Sequence, residues 1–172
     1  MAKVYLLTGL SGAGKTTLAQ GIADKLRSTM PVLILDGDDI RSSLNKELGF
    51  SEADRIENLR RCGEIAKIAT RQNVIVLMAL IAPYEKGRRL LRNILGDDLK
   101  IIFIDCPLEE CQRRDPKGNY TKCSTGKLKN YMGVDDRYER PTGTSFIVNT
   151  DKLTINESIE ACLSLIKKHG NQ

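Results

Sequence analysis

Tryptophan is absent from this 172-residue chain, and only three phenylalanines and five tyrosines supply aromatic rings. Without interleaved aromatics it lacks the stacking surface of a single-strand nucleic-acid binder, so each ring beside a motif is informative. Histidine occurs once, as His169, and the five cysteines (Cys62, Cys106, Cys111, Cys123, Cys162) show no Cys-x-x-Cys spacing. That pattern excludes a zinc site, which needs closely spaced ligands. It reads instead as the reduced thiols of a cytoplasmic protein. No run approaches the ~20 apolar residues of a membrane span. The first apolar stretch, KVYLLTGL, breaks at glycine, unlike a signal peptide. The net charge of +5 suits an anionic partner, yet Lys and Arg are spread without a basic block. Neither nucleic acid nor membrane is expected as partner; small polyanions such as nucleotides account for the excess.

What is present is a chain long enough for a real core, with 41% apolar residues, read as one domain over 1–172. Short apolar runs at 3–8, 32–36, 74–80, 100–105 and 144–150 alternate with helical patterns at 15–29, 38–47, 51–72, 84–95, 107–114 and 154–169. The runs are apolar on both faces, as in buried parallel strands. Ser51 opens Ser-Glu-Ala-Asp, an N-terminal cap, and Ile56, Leu59, Ile65, Ala66 and Ala69 form one stripe behind it. The alternation predicts an α/β fold: a doubly wound parallel sheet flanked by helices. Only 115–143 resists assignment; it is long, polar and glycine-rich, as functional lids are.

The stretch GLSGAGKTT comprises Gly9, Leu10, Ser11, Gly12, Ala13, Gly14, Lys15, Thr16 and Thr17. It matches G-x-x-x-x-G-K-[ST] between a strand and a helix. Its glycines let successive amides turn toward phosphate oxygens, and the helix dipole adds positive potential. Lys15 can reach the β- and γ-phosphates of ATP, and the Thr16 hydroxyl is placed to ligate Mg²⁺. A guanine-nucleotide switch would need an Asn-Lys-x-Asp element, which is missing.

The second strand ends in LDGDDIR, so Asp36, Asp38 and Arg41 fall at the strand edge where such sheets bind ligands. The third ends in Met78-Ala79-Leu80 without an acid, leaving Asp36 and Asp38 as the nearest carboxylates. One is expected to organise the metal and the other to accept the proton of an attacking hydroxyl. Arg55 and Asn58, three residues apart, share a helix face, and Phe50 precedes them in a polar loop where a ring can stack on a base.

Taken together, GLSGAGKTTLA, LDGDDIR, LGFSEADRIENLRR, LIAPY, the stretch from DCPLEECQRRDPKG to Tyr120, and YMGVDDRYERP closely resemble the adenylylsulfate kinases. These transfer the γ-phosphate of ATP to the ribose 3′-hydroxyl of adenosine 5′-phosphosulfate. The resemblance implies a five-stranded sheet of nucleoside-monophosphate-kinase type with a mobile lid. It places Lys15 and Thr16 on the ATP phosphates and Mg²⁺, Asp38 as base, and Asp36 near the metal. Arg41, Arg55 and Asn58 would hold the phosphate-sulfate end and ribose, with Ile81 and Ala82 beside the acceptor. Phe50 and Tyr131 would flank its base. Arg114 and Lys117 fall where the family's lid closes over ATP, and Lys117 also reaches the acceptor. Family members often pair, so the resemblance admits a homodimer.

Departures touch the acceptor side. Ala82 stands where many members carry a serine, so no phosphoserine can form and direct in-line transfer remains. Tyr131 replaces a phenylalanine, Asn119 replaces a leucine, and Asp136-Arg137-Tyr138-Glu139 lacks the usual proline. Donor and chemistry follow from unaltered motifs. The acceptor is expected to be adenylylsulfate, with cytidine 5′-diphosphoramidate as the alternative.

Overall fold

The computed structural model describes residues 3–170, with side chains through Lys168. The ends of the expected 1–172 domain and the side chain of His169 lie outside the described residues. Five parallel strands form one sheet: β1 (Val4–Thr8), β2 (Val32–Asp36), β3 (Ile75–Ala79), β4 (Leu99–Asp105) and β5 (Phe146–Asn149), in the order β2-β3-β1-β4-β5. Register is continuous across the middle, with Leu7 opposite both Ala79 and Ile102. The chain leaves β1 to one side, then adds β4 and β5 on the other. The C-terminal end of β1 therefore lies at the crevice where doubly wound sheets bind ligands.

Alternate residues of β1 to β4 feed two cores, whereas the edge strand β5 gives Phe146 and Val148 to the first alone. Tyr5, Leu7, Leu77, Ile102 and Ile104 meet α1 (Lys15–Leu26) and α7 (Ile155–Gly170) through Leu18, Ile22, Cys162 and Leu163. Val4, Leu6, Val76, Met78 and Ile101 meet α3 (Glu52–Thr70) and α4 (Glu85–Leu95) through Leu59, Cys62, Ala66 and Leu91. Each fully buried Leu or Ile adds about 1.5–3 kcal/mol. This two-sided burial is why the central strands β1, β3 and β4 read as apolar runs without alternation. All five cysteines are free thiols, and four are buried. No described helix is long and apolar enough to cross a membrane.

Ser51 caps α3, its hydroxyl accepting from the Asp54 amide at 3.1 Å. The helix expected over 38–47 ends early, as α2 (Gly37–Ser42). The Ser42 and Ser43 hydroxyls both turn back to the Asp39 carbonyl, an alternative bond that competes with helix continuation. Past Arg114, which closes α5 (Leu108–Arg114), the unassigned stretch contains α6 (Asn119–Ser124). Its start is held by the Asp115 carboxylate, which accepts from the Tyr120 and Thr121 amides.

Candidate active site

A cleft of about 1070 Å³ runs along the C-terminal edge of the sheet. A pocket for one small ligand spans about 300–1,000 Å³, so this one has room for more than one. Of the residues singled out from sequence, all but Gly9 and Leu10 line it. Gly9 instead passes over β4: a Cβ there would lie 2.4 Å from the Ile104 carbonyl oxygen. Gly14 has φ of 103°, a left-handed conformation that turns the loop into α1.

Lys15 is 8% exposed, and its ammonium donates to the Leu10 carbonyl at 2.7 Å. Burial pulls its pKa down to about 8, well below the usual lysine range. The Thr16 hydroxyl donates to Asp36 Oδ2 at 2.7 Å, and Asp36 Oδ1 caps α2 by accepting from the Asp38 amide. Asp36 therefore caps α2 with one carboxylate oxygen and turns the other to Thr16. Two hard oxygen donors side by side suit a magnesium ion rather than a softer metal. Asp38 is exposed and forms an ion pair with Lys117, reaching across from the 115–143 segment.

At the other end, Phe50 is 56% exposed beneath two guanidiniums. Arg41 lies 4.6 Å and Arg55 5.3 Å from its ring centre. Arg41 is fixed by the Gly49 carbonyl at 2.8 Å. Arg55, largely buried, bonds the Phe50 and Asn130 carbonyls, both at 2.9 Å, and so ties α3 to the lid-like segment. Among the described residues no carboxylate is bonded to either, which leaves their positive charge available to an anion. Asn58 accepts from Asn45 at 2.9 Å. Asn45 is completely buried, and no feature of the sequence marked it.

Ile81 and Ala82 follow β3, and Ala82 is left-handed at φ 45°. Its carbonyl accepts from Arg88, a wholly buried guanidinium that also binds Glu85 and the Glu139 carbonyl. Tyr131 stands edge-on to Tyr120, with ring centres 5.0 Å apart. Arg114 donates to the Thr150 carbonyl at 2.7 Å, and the Thr150 hydroxyl donates to the Ala13 carbonyl at 2.8 Å. Thr150 also lines the cleft and was not singled out; its place just beyond the last strand was the available signal.

The profile of the family described as Adenylylsulphate kinase matches residues 1–149. An adenylyl-sulfate kinase of Synechococcus sp. (strain JA-3-3Ab) is 45% identical over 164 residues, covering 95% of this chain and 93% of its own. Among solved structures, the Mycobacterium tuberculosis APS kinase CysC in complex with AMPPNP and APS is similar at a TM-score of 0.92 and 36% identity. That match covers 96% of this chain and 98% of the other. A hexameric APS kinase from Thiobacillus denitrificans matches at a TM-score of 0.71 and 32% identity, covering 97% of this chain and 29% of that longer one.

Proposed function

The chain belongs to the adenylylsulphate kinase family, and from that premise we propose that it uses Mg²⁺-ATP to phosphorylate the ribose 3′-hydroxyl of adenosine 5′-phosphosulfate, giving 3′-phosphoadenylyl sulfate and ADP. The observation that carries the reading is one continuous cleft. It is lined by the phosphate loop, by Asp36 and Asp38, and by the Arg41–Phe50–Arg55–Asn58 cluster.

Loop amides from Ser11 to Thr16 and the Lys15 ammonium hold the ATP phosphates. Thr16 and Asp36 would hold the magnesium ion, which when bound offsets negative charge on the β- and γ-phosphates. Asp38 accepts the proton of the acceptor hydroxyl, a role that requires Lys117 to release it. Arg41, Arg55 and Asn58 orient the phosphosulfate and ribose, while Phe50 and Tyr131 enclose the base. Transfer is direct, because Ala82 offers no hydroxyl for a phosphorylated intermediate. The 115–143 segment, carrying Arg114's neighbour Lys117, serves as lid and keeps water from competing for the γ-phosphate.

The relatives named adenylyl-sulfate kinases favour adenylylsulfate over cytidine 5′-diphosphoramidate. A coupled assay of ADP release with both acceptors in parallel tests this. Turnover dependent on adenosine 5′-phosphosulfate is expected. ADP release with the cytidine compound alone, or with neither, refutes it.

A further inference from the structure

We propose that Tyr120 is a positioning residue that couples the ATP loop to the wall of the acceptor pocket. The idea rests on the reading of Tyr131 as that wall. Tyr120 is the second residue of α6 and is 6% exposed. Its hydroxyl donates to the Ser11 carbonyl, inside the phosphate loop, at 2.9 Å. Its ring meets Tyr131 at 90° and 5.0 Å. One side chain thus touches both halves of the cleft. Asp115 fixes the main chain at 120–121 from below, so Tyr120 is held at its backbone as well as at its hydroxyl.

A second contact runs parallel to the first. The backbone at Gly133, two residues beyond Tyr131, lies so close to Leu10 that a Cβ there would come 3.0 Å from Leu10 Cδ2. The consecutive carbonyls of Leu10 and Ser11 are engaged by two different side chains, Lys15 and Tyr120. A bound phosphate competes with the Leu10 carbonyl for the three donors of the Lys15 ammonium, and the Ala13 amide holds the same carbonyl at 3.2 Å. The change in that sharing bears on the peptides on which Tyr120 and, through it, Tyr131 rest. Occupation of the ATP site is thereby felt at the acceptor base.

If Tyr120 only filled space, Tyr120→Phe would be nearly silent, since ring and packing survive and one hydroxyl is lost. Coupling predicts a different result, and the absence of native tryptophan makes it readable. Tyr131→Trp installs a single indole at the acceptor wall. ADP alone should shift its emission, and adding Tyr120→Phe should abolish that shift while ADP affinity stays within about threefold. Hydrogen exchange at 131–133, with Tyr131 intact, gives the same readout without the indole.

In the second arm, a non-hydrolysable ATP analogue should tighten adenosine 5′-phosphosulfate binding by about fivefold or more, a typical coupling factor. In Tyr120→Phe the factor should fall below about twofold. Shift and factor both retained in Tyr120→Phe would overturn the proposal. So would loss of ADP binding itself, which would make Tyr120 part of the loop's own scaffold. If adenosine 5′-phosphosulfate failed to bind the native protein, the function reading would fall, and the ADP arm would still decide the coupling.

Discussion

Replacing Arg88 with methionine should cost the fold about 3–5 kcal/mol, the range for breaking one side of a buried, hydrogen-bonded ion pair. The guanidinium is 0% exposed. It gives Nε to Glu85 at 2.9 Å, Nη1 to the Ala82 carbonyl at 2.6 Å and Nη2 to the Glu139 carbonyl at 2.8 Å. Methionine fills much of the volume, so the loss is polar: a carboxylate and two carbonyls lose their donor. Arg92 still reaches Glu85 at 2.5 Å, which keeps the figure from rising further. At roughly 2–4 °C per kcal/mol for a chain of this size, the midpoint should fall by about 10 °C. Urea unfolding read by circular dichroism checks the magnitude, with exposed Arg89→Met as a control expected to stay within about 0.5 kcal/mol. A loss below about 1 kcal/mol for Arg88→Met would refute the reasoning, because it would mean that water replaces all three bonds. Proteolysis should localise the damage to 136–142, which Arg88 and Arg92 strap to α4 through the Glu139 and Thr142 carbonyls.

Two further expectations concern catalysis. Burial lowers the Lys15 pKa to about 8, and only the ammonium form attracts phosphate, so the unliganded site loses its charge as pH rises through 8. ADP affinity should be level below that pH and weaken about tenfold per unit above it, until the ordinary lysine range is reached. Calorimetric titration from pH 7 to 9.5 would reveal this; a flat profile would show that Lys15 stays charged or contributes nothing. Asp38→Asn should cut kcat by about 100-fold or more, the usual worth of a positioned base, while ADP binding changes by less than about threefold. A retained rate would remove Asp38 from that role.

The sheet was legible because its central strands β1, β3 and β4 are buried on both faces, and the edge strands β2 and β5 are apolar enough to be outlined although Ile147 is 44% exposed. The phosphate loop was legible because its geometry is local: glycines at fixed offsets, then a helix. α6 escaped notice because nothing in NYTKCS is periodic. Its start is set by Gly118 at φ 64° and by the Asp115 carboxylate, contacts fixed by the folded turn. Overextension of α2 has a similar cause, since Ser42 and Ser43 look like ordinary helix residues until their hydroxyls are seen bonded back to Asp39. Arg55 and Asn58 were found through shared helix spacing. Their partners Asn130 and Asn45 come from distant segments, and only the fold brings them together. Arg88 reads as one more charge on an amphipathic helix, and its complete burial is a tertiary fact.

The two cores differ in how much of the chain they require. Every member of the core beneath α3 and α4 lies at or before residue 101, whereas the core around α1 needs Val148, Ile159, Cys162, Leu163 and Ile166. A chain emerging from the ribosome, N-terminus first, can thus complete one face of its sheet while the helix behind the phosphate loop still waits for its cover. During that interval the apolar flank of α1 is open to chaperones, and a nucleotide would meet a loop mounted on an unfinished layer. The order of synthesis therefore makes donor binding a late event in the birth of the protein, even though the residues that perform it are among the first to be made.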